Sequence, residues 1–427
     1  MKGVDRSMMN WLPIVLIAAA VVCGAAGAAQ AGTPVDSPSQ AYQEMIARSL
    51  MNRGNNFRLK AVIEKAKRGE DVTIAFIGGS ITEGAGANPQ QTNCYAYLTY
   101  ERFKEMFAPG GGNVHFIKAG VGGTPSQLGV IRYERDVLRD GTVQPDLVVV
   151  EFAVNDWDDE TQGVCYESLV LKILEAENQP AVILLFNVFE NDWNLQDRLA
   201  PVGWHYDLPM VSVKDAVVPQ FRLSRDQENV ITKAEFFADQ YHPTNAGHRI
   251  IADCLAYLLA EVAQADPDEG DIDLNKPPKI GDAFKNIKLL DRKENTAAAQ
   301  IDPGGFSQTD LDVQRALFDT NLAGTPLFPN NWMHSAKSGS ESFKMKITSK
   351  SLMLIFKDSW NQQFGRAEVY VDGKYVKTLD PHIINWTHCH PTLVYWEEEA
   401  REHEIEIRMA PGDEGKSFTI LGFGYVE

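Results

Sequence analysis

The sequence predicts an α/β domain built on a parallel sheet, followed by an all-β domain of jelly-roll-like sandwich type, and three observations carry this reading. Between residues 38 and 264, continuous apolar runs of strand length alternate with stretches of helical period. Runs without polar alternation belong to strands covered on both faces, as in a three-layer α/β/α arrangement. From about residue 330 the period changes to two, as in Phe343-Lys344-Met345-Lys346-Ile347 and His403-Glu404-Ile405-Glu406-Ile407. Asp372-Gly373 between two such runs is a strong hairpin signal. Roughly 100 residues of short strands imply an antiparallel sandwich.

In chain order, residues 37–68 read as helix, with Tyr42, Met45, Ile46, Leu50, Leu59, Val62 and Ile63 at helical spacing before Arg68-Gly69. Val72-Thr73-Ile74-Ala75-Phe76-Ile77 is β-branched and aromatic, hence a strand, and it ends in Gly78-Gly79-Ser80. Residues 94–107 read as a second helix, stopped by Pro109 and three glycines. Val114-His115-Phe116-Ile117 is the next strand and runs into Gly120-Val121-Gly122-Gly123. Residues 147–152, 181–186 and 210–213 are further strands, the first of them leading to Asn155-Asp156. A helix from Asn245 to about Val262 closes the domain. The acidic, turn-rich stretch from Ala265, with Lys276-Pro277-Pro278 after it, reads as a linker. The expected division is a leader at 1–31, an α/β domain at 38–264, a linker at 265–300 and a β-sandwich at 301–427.

The leader is read from Lys2 and Arg6 ahead of an apolar run from Trp11 to about Ala29, with Ala29-Gln30-Ala31 offering the small residues a signal peptidase needs. Cleavage is expected after Ala31, and the protein is expected to be secreted or periplasmic. The formal net charge is −18 for the 427 residues and one unit more negative without the leader. Such a surface repels phosphate backbones and anionic headgroups, which argues against nucleic-acid and membrane partners after processing. Neutral substrates such as glycans remain. Cys94, Cys165, Cys254 and Cys389 follow the leader, and the sequence selects no pairing among them. No Cys-x-x-Cys or His-x-x-x-His spacing suggests a zinc site, and no cofactor is expected.

The chemistry is read from Ser80. Two glycines let the backbone turn tightly and set its hydroxyl at the carboxyl edge of the sheet, although Gly-Gly-Ser by itself also describes a helix cap. A base is offered by Asp239-Gln240-Tyr241-His242-Pro243. Pro243 holds His242 extended, ahead of a helix that Thr244 caps. Asp239 can fix the tautomer that leaves Nε2 free to take the serine proton, although Asp-x-x-His is also a common local turn. Donors for an oxyanion are offered by the N–H of Ser80, the N–H of Gly123 and the side chain of Asn155, all at strand ends. No Lys follows the glycines as a phosphate loop requires, and Pro125 stands where a dinucleotide fingerprint has its third glycine.

With these residues in order, the sequence resembles the SGNH hydrolases, also called GDSL esterases. The matching blocks are Gly78-Gly79-Ser80-Ile81, Gly120-Val121-Gly122-Gly123, Ala153-Val154-Asn155-Asp156 and Asp239-Gln240-Tyr241-His242, within residues 70–262. The resemblance implies a flavodoxin-like sheet, Ser80, His242 and Asp239 as catalytic residues, no metal, and ester hydrolysis through an acyl-serine. Gly79 departs from the usual Asp and Ala153 from a frequent Gly. Thr82, where an α/β-hydrolase elbow would have Gly, separates the chain from that group.

Trp157, Trp193 and Trp204 follow strand ends and are candidates to stack on sugar rings, with packing as the equal alternative. Trp360, Trp386 and Trp396 are expected in the core of the β domain. Asp156-Trp157-Asp158-Asp159-Glu160 reads as a solvated acidic loop in preference to a calcium loop. His248, inside the last helix, is read as a packing or surface residue. Export, an acidic surface and a β-sandwich tail resembling those of carbohydrate esterases point to removal of O-acetyl groups from carbohydrate. A lipid acyl esterase of lysophospholipase type, an O-acyltransferase, and a binding protein on an inactive esterase fold are the alternatives.

Overall fold

The computed structural model describes residues 38–108 and 110–427; the expected leader and Pro109 lie outside the described residues. Residues 39–427 form one compact unit. Its first half is a six-stranded sheet with β1 (Leu50–Asn52), β2 (Val72–Gly78), β3 (Val114–Gly120), β4 (Leu147–Glu151), β5 (Ala181–Phe186) and β6 (Met210–Ser212), in the spatial order β1-β6-β5-β4-β2-β3. Strands β2 to β6 are parallel, as their unbroken apolar runs require. One face carries Phe76, Val149, Leu185 and Leu255 of the last helix, Asn245–Gln264; the other carries Ala75, Val150, Leu184 and Leu128 of the helix Ser126–Asp136.

Two local expectations are corrected here. Residues 37–68 are not one helix but two, Gln40–Ala47 and Phe57–Lys67, with β1 between them. The break follows from Gly54, which takes φ +62° and lies so close to the backbone of Leu208 and Pro209 that no side chain fits. Strand β1 pairs antiparallel with β6, so the sheet is mixed at this edge.

The second half is antiparallel: β7 (Lys288–Leu290), β8 (Ala299–Asp302), β9 (Arg315–Ala316), β10 (Thr325–Pro326), β11 (Trp332–His334), β12 (Phe343–Asp358), β13 (Ala367–Val371), β14 (Lys374–Leu379), β15 (His388–Met409) and β16 (Phe418–Val426). The Asp372-Gly373 hairpin forms as expected, both residues at positive φ. Strand β12 pairs with β8 over 344–347 and with β16 over 351–356, so one long strand serves both layers, with register shifts near Ser351.

The burial pattern of β12 explains how the halves join. Its first part alternates buried and exposed, whereas from Ser351 onward every residue is buried. The second face there is covered by the α/β domain: Met353, Ile355, Leu421 and Val426 share one apolar cluster with Ile131, Tyr133, Val164 and Tyr166. The connecting stretch is likewise laid down on the first half. Arg58 forms a two-bond pair with Asp271, and Glu167 accepts the backbone N–H groups of Lys279, Ile280 and Gly281.

The expected core tryptophans of the β domain are a further correction: Trp360, Trp386 and Trp396 are 64%, 41% and 48% exposed. The core is built instead on Trp332, Phe343, Phe356 and Phe423. The four cysteines among the described residues, Cys94, Cys165, Cys254 and Cys389, are buried free thiols. No helix among the described residues is long and apolar enough to cross a membrane.

Candidate active site

Strand β2 ends with Gly78 in register with Gly120 of β3 and Glu151 of β4, so the three following loops meet at one carboxyl edge. Ser80 opens a one-turn helix, Ser80–Glu83, there. Its Oγ lies 3.0 Å from His242 Nε2, and His242 Nδ1 lies 2.8 Å from Asp239 Oδ2. The other Asp239 oxygen accepts the backbone N–H groups of Tyr241 and His242. Partial burial raises the Asp239 pKa, but the His242 hydrogen bond and these two donors outweigh it, and the carboxyl sits below its usual value. An ionised Asp239 makes Nδ1 the donor, which leaves Nε2 to accept the serine proton. Thr244 caps the following helix by accepting from Gly247 N–H, as expected.

Residues of the other two loops close around Ser80. A Cβ on Gly122 would lie 3.8 Å from Ser80 Cβ. The Gly122 N–H is committed to Glu83 Oε2 at 2.9 Å, and the next residue, Gly123, takes φ +72°. The Asn155 side chain abuts Gly79. Asp156 accepts both the N–H and the hydroxyl of Ser126, each at 2.7 Å, and thereby ties the asparagine loop to the glycine loop. Burial, then the nearby Asp159, pushes the Asp156 carboxyl well above its usual range.

The acidic loop is therefore not a solvated charge run, which corrects that expectation. Asp156 and Asp159 are fully buried; Asp159 accepts from Thr161 and Gly163, and Glu160 accepts from Lys377 and Thr392 of the β domain. His248 is a buried packing residue, donating to Ala85 O and accepting Tyr95 N–H; burial lowers its pKa to about 4.

Of the three candidate tryptophans, Trp193 stacks on Phe189, which meets Tyr241 next to His242. Trp157 is exposed two residues beyond Asn155. Trp204 sits in the last turn of the helix Gln196–Tyr206, which runs from the end of β5 back to the start of β6. It lies toward the amino edge of the sheet and is not brought to Ser80.

Several residues at the site escaped the sequence reading. Glu83 bridges Gly122 N–H and the backbone N–H of Leu317, and Gln314 donates from Nε2 to Gly122 O while its Oε1 accepts Cys389 N–H. Trp386 packs against Gly123. Gln314 and Leu317 lie more than 190 positions along the chain from Gly122 and Glu83, and no local pattern marks them. Glu151 did carry a signal, being the one charged residue in an otherwise apolar strand. It is fully buried, accepts from Thr82 Oγ1, and burial raises its pKa to about 7.

Comparison with known proteins agrees with the two-part fold. Residues 76–250 match the model of the GDSL-like Lipase/Acylhydrolase family. A crystal structure of a two-domain esterase (CEX) active on acetylated mannans superposes with a TM-score of 0.75 at 28% identity, over 90% of this chain and 99% of that one. The same esterase co-crystallised with mannopentaose gives 0.74 at 27% identity, over 90% and 98%. None of the curated proteins compared with the chain matches it.

Proposed function

We propose that this chain, a carboxylic ester hydrolase carrying a GDSL-like lipase/acylhydrolase domain over residues 76–250, removes O-acetyl or other short acyl groups from carbohydrate through an acyl-serine intermediate. The observation that carries the reading is the unbroken hydrogen-bonded line from Asp239 through His242 to Ser80 Oγ. The sugar-ester part is supported by the two-domain likeness to an esterase active on acetylated mannans. Export through a leader at 1–31, and the division into residues 38–264, 265–300 and 301–427, belong to the same proposal.

The reaction follows from the geometry. Ser80 Oγ attacks the ester carbonyl as its proton passes to His242 Nε2, and the tetrahedral oxyanion is held by the N–H of Ser80, the N–H of Gly123 and Asn155 Nδ2. Collapse expels the sugar hydroxyl, which takes the proton back from His242. Water then repeats the sequence on the acyl-serine and releases the acid. Asp239 orients the ring and stabilises the imidazolium without itself becoming protonated.

The test is acid release by the mature protein and its Ser80→Ala variant on aryl acetate, aryl octanoate, acetylated mannan and acetylated xylan. Acetate release from the glycans that needs Ser80 is the expected result. Preference for octanoate would move the reading to lipid esters. Acyl transfer to an added sugar in excess of hydrolysis would make the protein a transferase.

A further inference from the structure

Among the described residues, a group of ligand-type side chains outside the Ser80 site lies where the β domain meets the glycine turn. Asp358 ends β12 and stands opposite His388, the first residue of β15, across the antiparallel ladder. His390 follows two positions later on the same face. One ligand atom from each of the three lies within 4.8 Å of the others. Asp358 and His388 are completely buried, and the His390 side chain is 14% exposed. Asp358 Oδ2 is 3.0 Å from His388 Nδ1 and 3.3 Å from His390 Nδ1. Ligands bound tetrahedrally at about 2.0–2.1 Å stand about 3.3 Å apart. These separations therefore suit side chains that share one ion.

Two further features point the same way. His390 Nδ1 makes no hydrogen bond despite its distance from Asp358, and Asp358 Oδ1 is buried without a hydrogen-bond partner. Burying a carboxylate oxygen unpaired is costly, and a cation removes that cost. The orientation of His388 is the second feature. Its Nε2 lies 3.0 Å from Gly123 O, and a carbonyl only accepts, so Nε2 carries the proton. In a neutral ring, Nδ1 then aims a lone pair at a carboxylate that also only accepts. A proton on Nδ1 satisfies this pair but leaves His390 Nδ1 without a partner, whereas a metal ion among the three side chains serves both rings. Metal-bound histidines characteristically donate their far N–H to a backbone carbonyl in this way.

We propose that Asp358, His388 and His390 bind one divalent transition-metal ion of the zinc type, which holds His388 beneath the carbonyl of Gly123. Two imidazoles and a carboxylate suit zinc; calcium and magnesium prefer oxygen. Three protein ligands leave a fourth position for water. The ion takes no part in bond making or breaking. It makes His388 a positioning residue for the glycine loop, and this last step alone rests on the role proposed above for Gly123.

The test uses the untagged full chain in a Ser80→Ala background, so that metal binding is read without turnover. After chelation and dialysis, it is titrated with zinc chloride by calorimetry, and bound metal is counted by elemental analysis. One equivalent per chain is expected, with tetrahedral visible absorption when cobalt chloride replaces zinc. His390→Ala should weaken zinc binding by ~100-fold or more, the upper end of losses seen even for residues behind the ligands. His242→Ala should leave it unchanged. A folded parent protein that takes up no stoichiometric zinc overturns the proposal, as does equal affinity in His390→Ala. Should the variants fail to fold, the parent's stoichiometry and cobalt spectrum decide alone.

Discussion

Gly79 and the side chain of Asn155 occupy adjacent space with nothing to spare: a Cβ on Gly79 would fall 2.1 Å from Asn155 Oδ1 and 2.7 Å from Nδ2. No real Cβ sits that close, and Asn155 is itself only 7% exposed. Glycine at this position, where the related family usually carries Asp, is thus the partner of Asn155. Gly79→Ala must push the amide away from Ser80. Removing one oxyanion donor outright costs about 10²–10³ in kcat, so displacing the donor proposed at Asn155 should cost ~10–100-fold. Initial rates on aryl acetate should show this loss in kcat with KM little changed, and Asn155→Ala should be at least as severe. An unaltered kcat in Gly79→Ala would remove Asn155 from the oxyanion site.

The three residues of the relay should not be equivalent. In the proposed mechanism Ser80→Ala and His242→Ala each remove a group that forms or breaks a bond, and losses of about 10⁵–10⁶ in kcat are expected. Asp239→Asn keeps the shape but weakens the hold on the ring, and should cost about 10³–10⁴. Single-turnover rates on aryl acetate separate these values. A loss at Asp239 equal to or larger than that at His242 would contradict the assignment.

Glu151, buried beneath the Ser80 turn and accepting from Thr82, makes stability depend on pH in a predictable sense. Its pKa is raised from 4.5 to about 7 by burial, so the native state holds the proton more tightly than the unfolded chain does. Its full contribution is present below about pH 4.5 and is lost as pH rises through about 7, a change on the order of 3 kcal/mol. Glu151→Gln cannot ionise and escapes this loss. The Tm of the variant relative to the parent should therefore climb by a few degrees between pH 4.5 and 8. Parallel Tm curves would mean that the carboxyl is already charged in the folded protein.

The parts of the fold and site that were legible in the sequence are those with local signatures. An apolar run ending in Gly-Gly-Ser specifies a strand and a turn within ten residues, and Asp239 and His242 are neighbours in one turn. The sheet needs only apolar runs, so its strands were readable, whereas β1 rests on an approach of Gly54 to Leu208 that no window of sequence contains. The acidic loop was misread because charge looks solvated until the donors that bury it, Ser126, Thr161 and Gly163, are folded against it. His388 and His390 lie in a run whose period gave no clear strand, and their partner Asp358 is about 30 residues away.

Trp386 shows what the β domain adds to the substrate side. It is 41% exposed and packs against Gly123, so that a Cβ there would lie 2.8 Å from its ring. An exposed indole beside the site offers a stacking face to a sugar ring but little to an aryl acetate. Trp386→Ala should raise KM for acetylated oligosaccharides by ~10-fold, about the loss of one stacking contact, and leave kcat/KM on aryl acetate within about twofold. Equal losses on both substrates would instead assign the ring to support of the glycine turn.

The two halves should also unfold together. Met353, Ile355 and Leu421 of the sandwich share a cluster with Ile131 and Tyr166 of the α/β domain, and Gly424 admits the Ile131 side chain to within 2.7 Å of where its Cβ would be. Packing at that density couples the domains as a core does, in contrast to the polar contacts of independently moving domains. Calorimetry of the mature protein should show one transition. A chain ending at residue 264 exposes that cluster and loses the Gln314 and Leu317 bonds to the glycine turn and Glu83. It is expected to aggregate, and any soluble fraction should hydrolyse aryl acetate at least ~10-fold more slowly, the turn having lost the supports that set its donors. A soluble, fully active fragment with its own transition would make the sandwich an appendage and remove it from the structure of the active site.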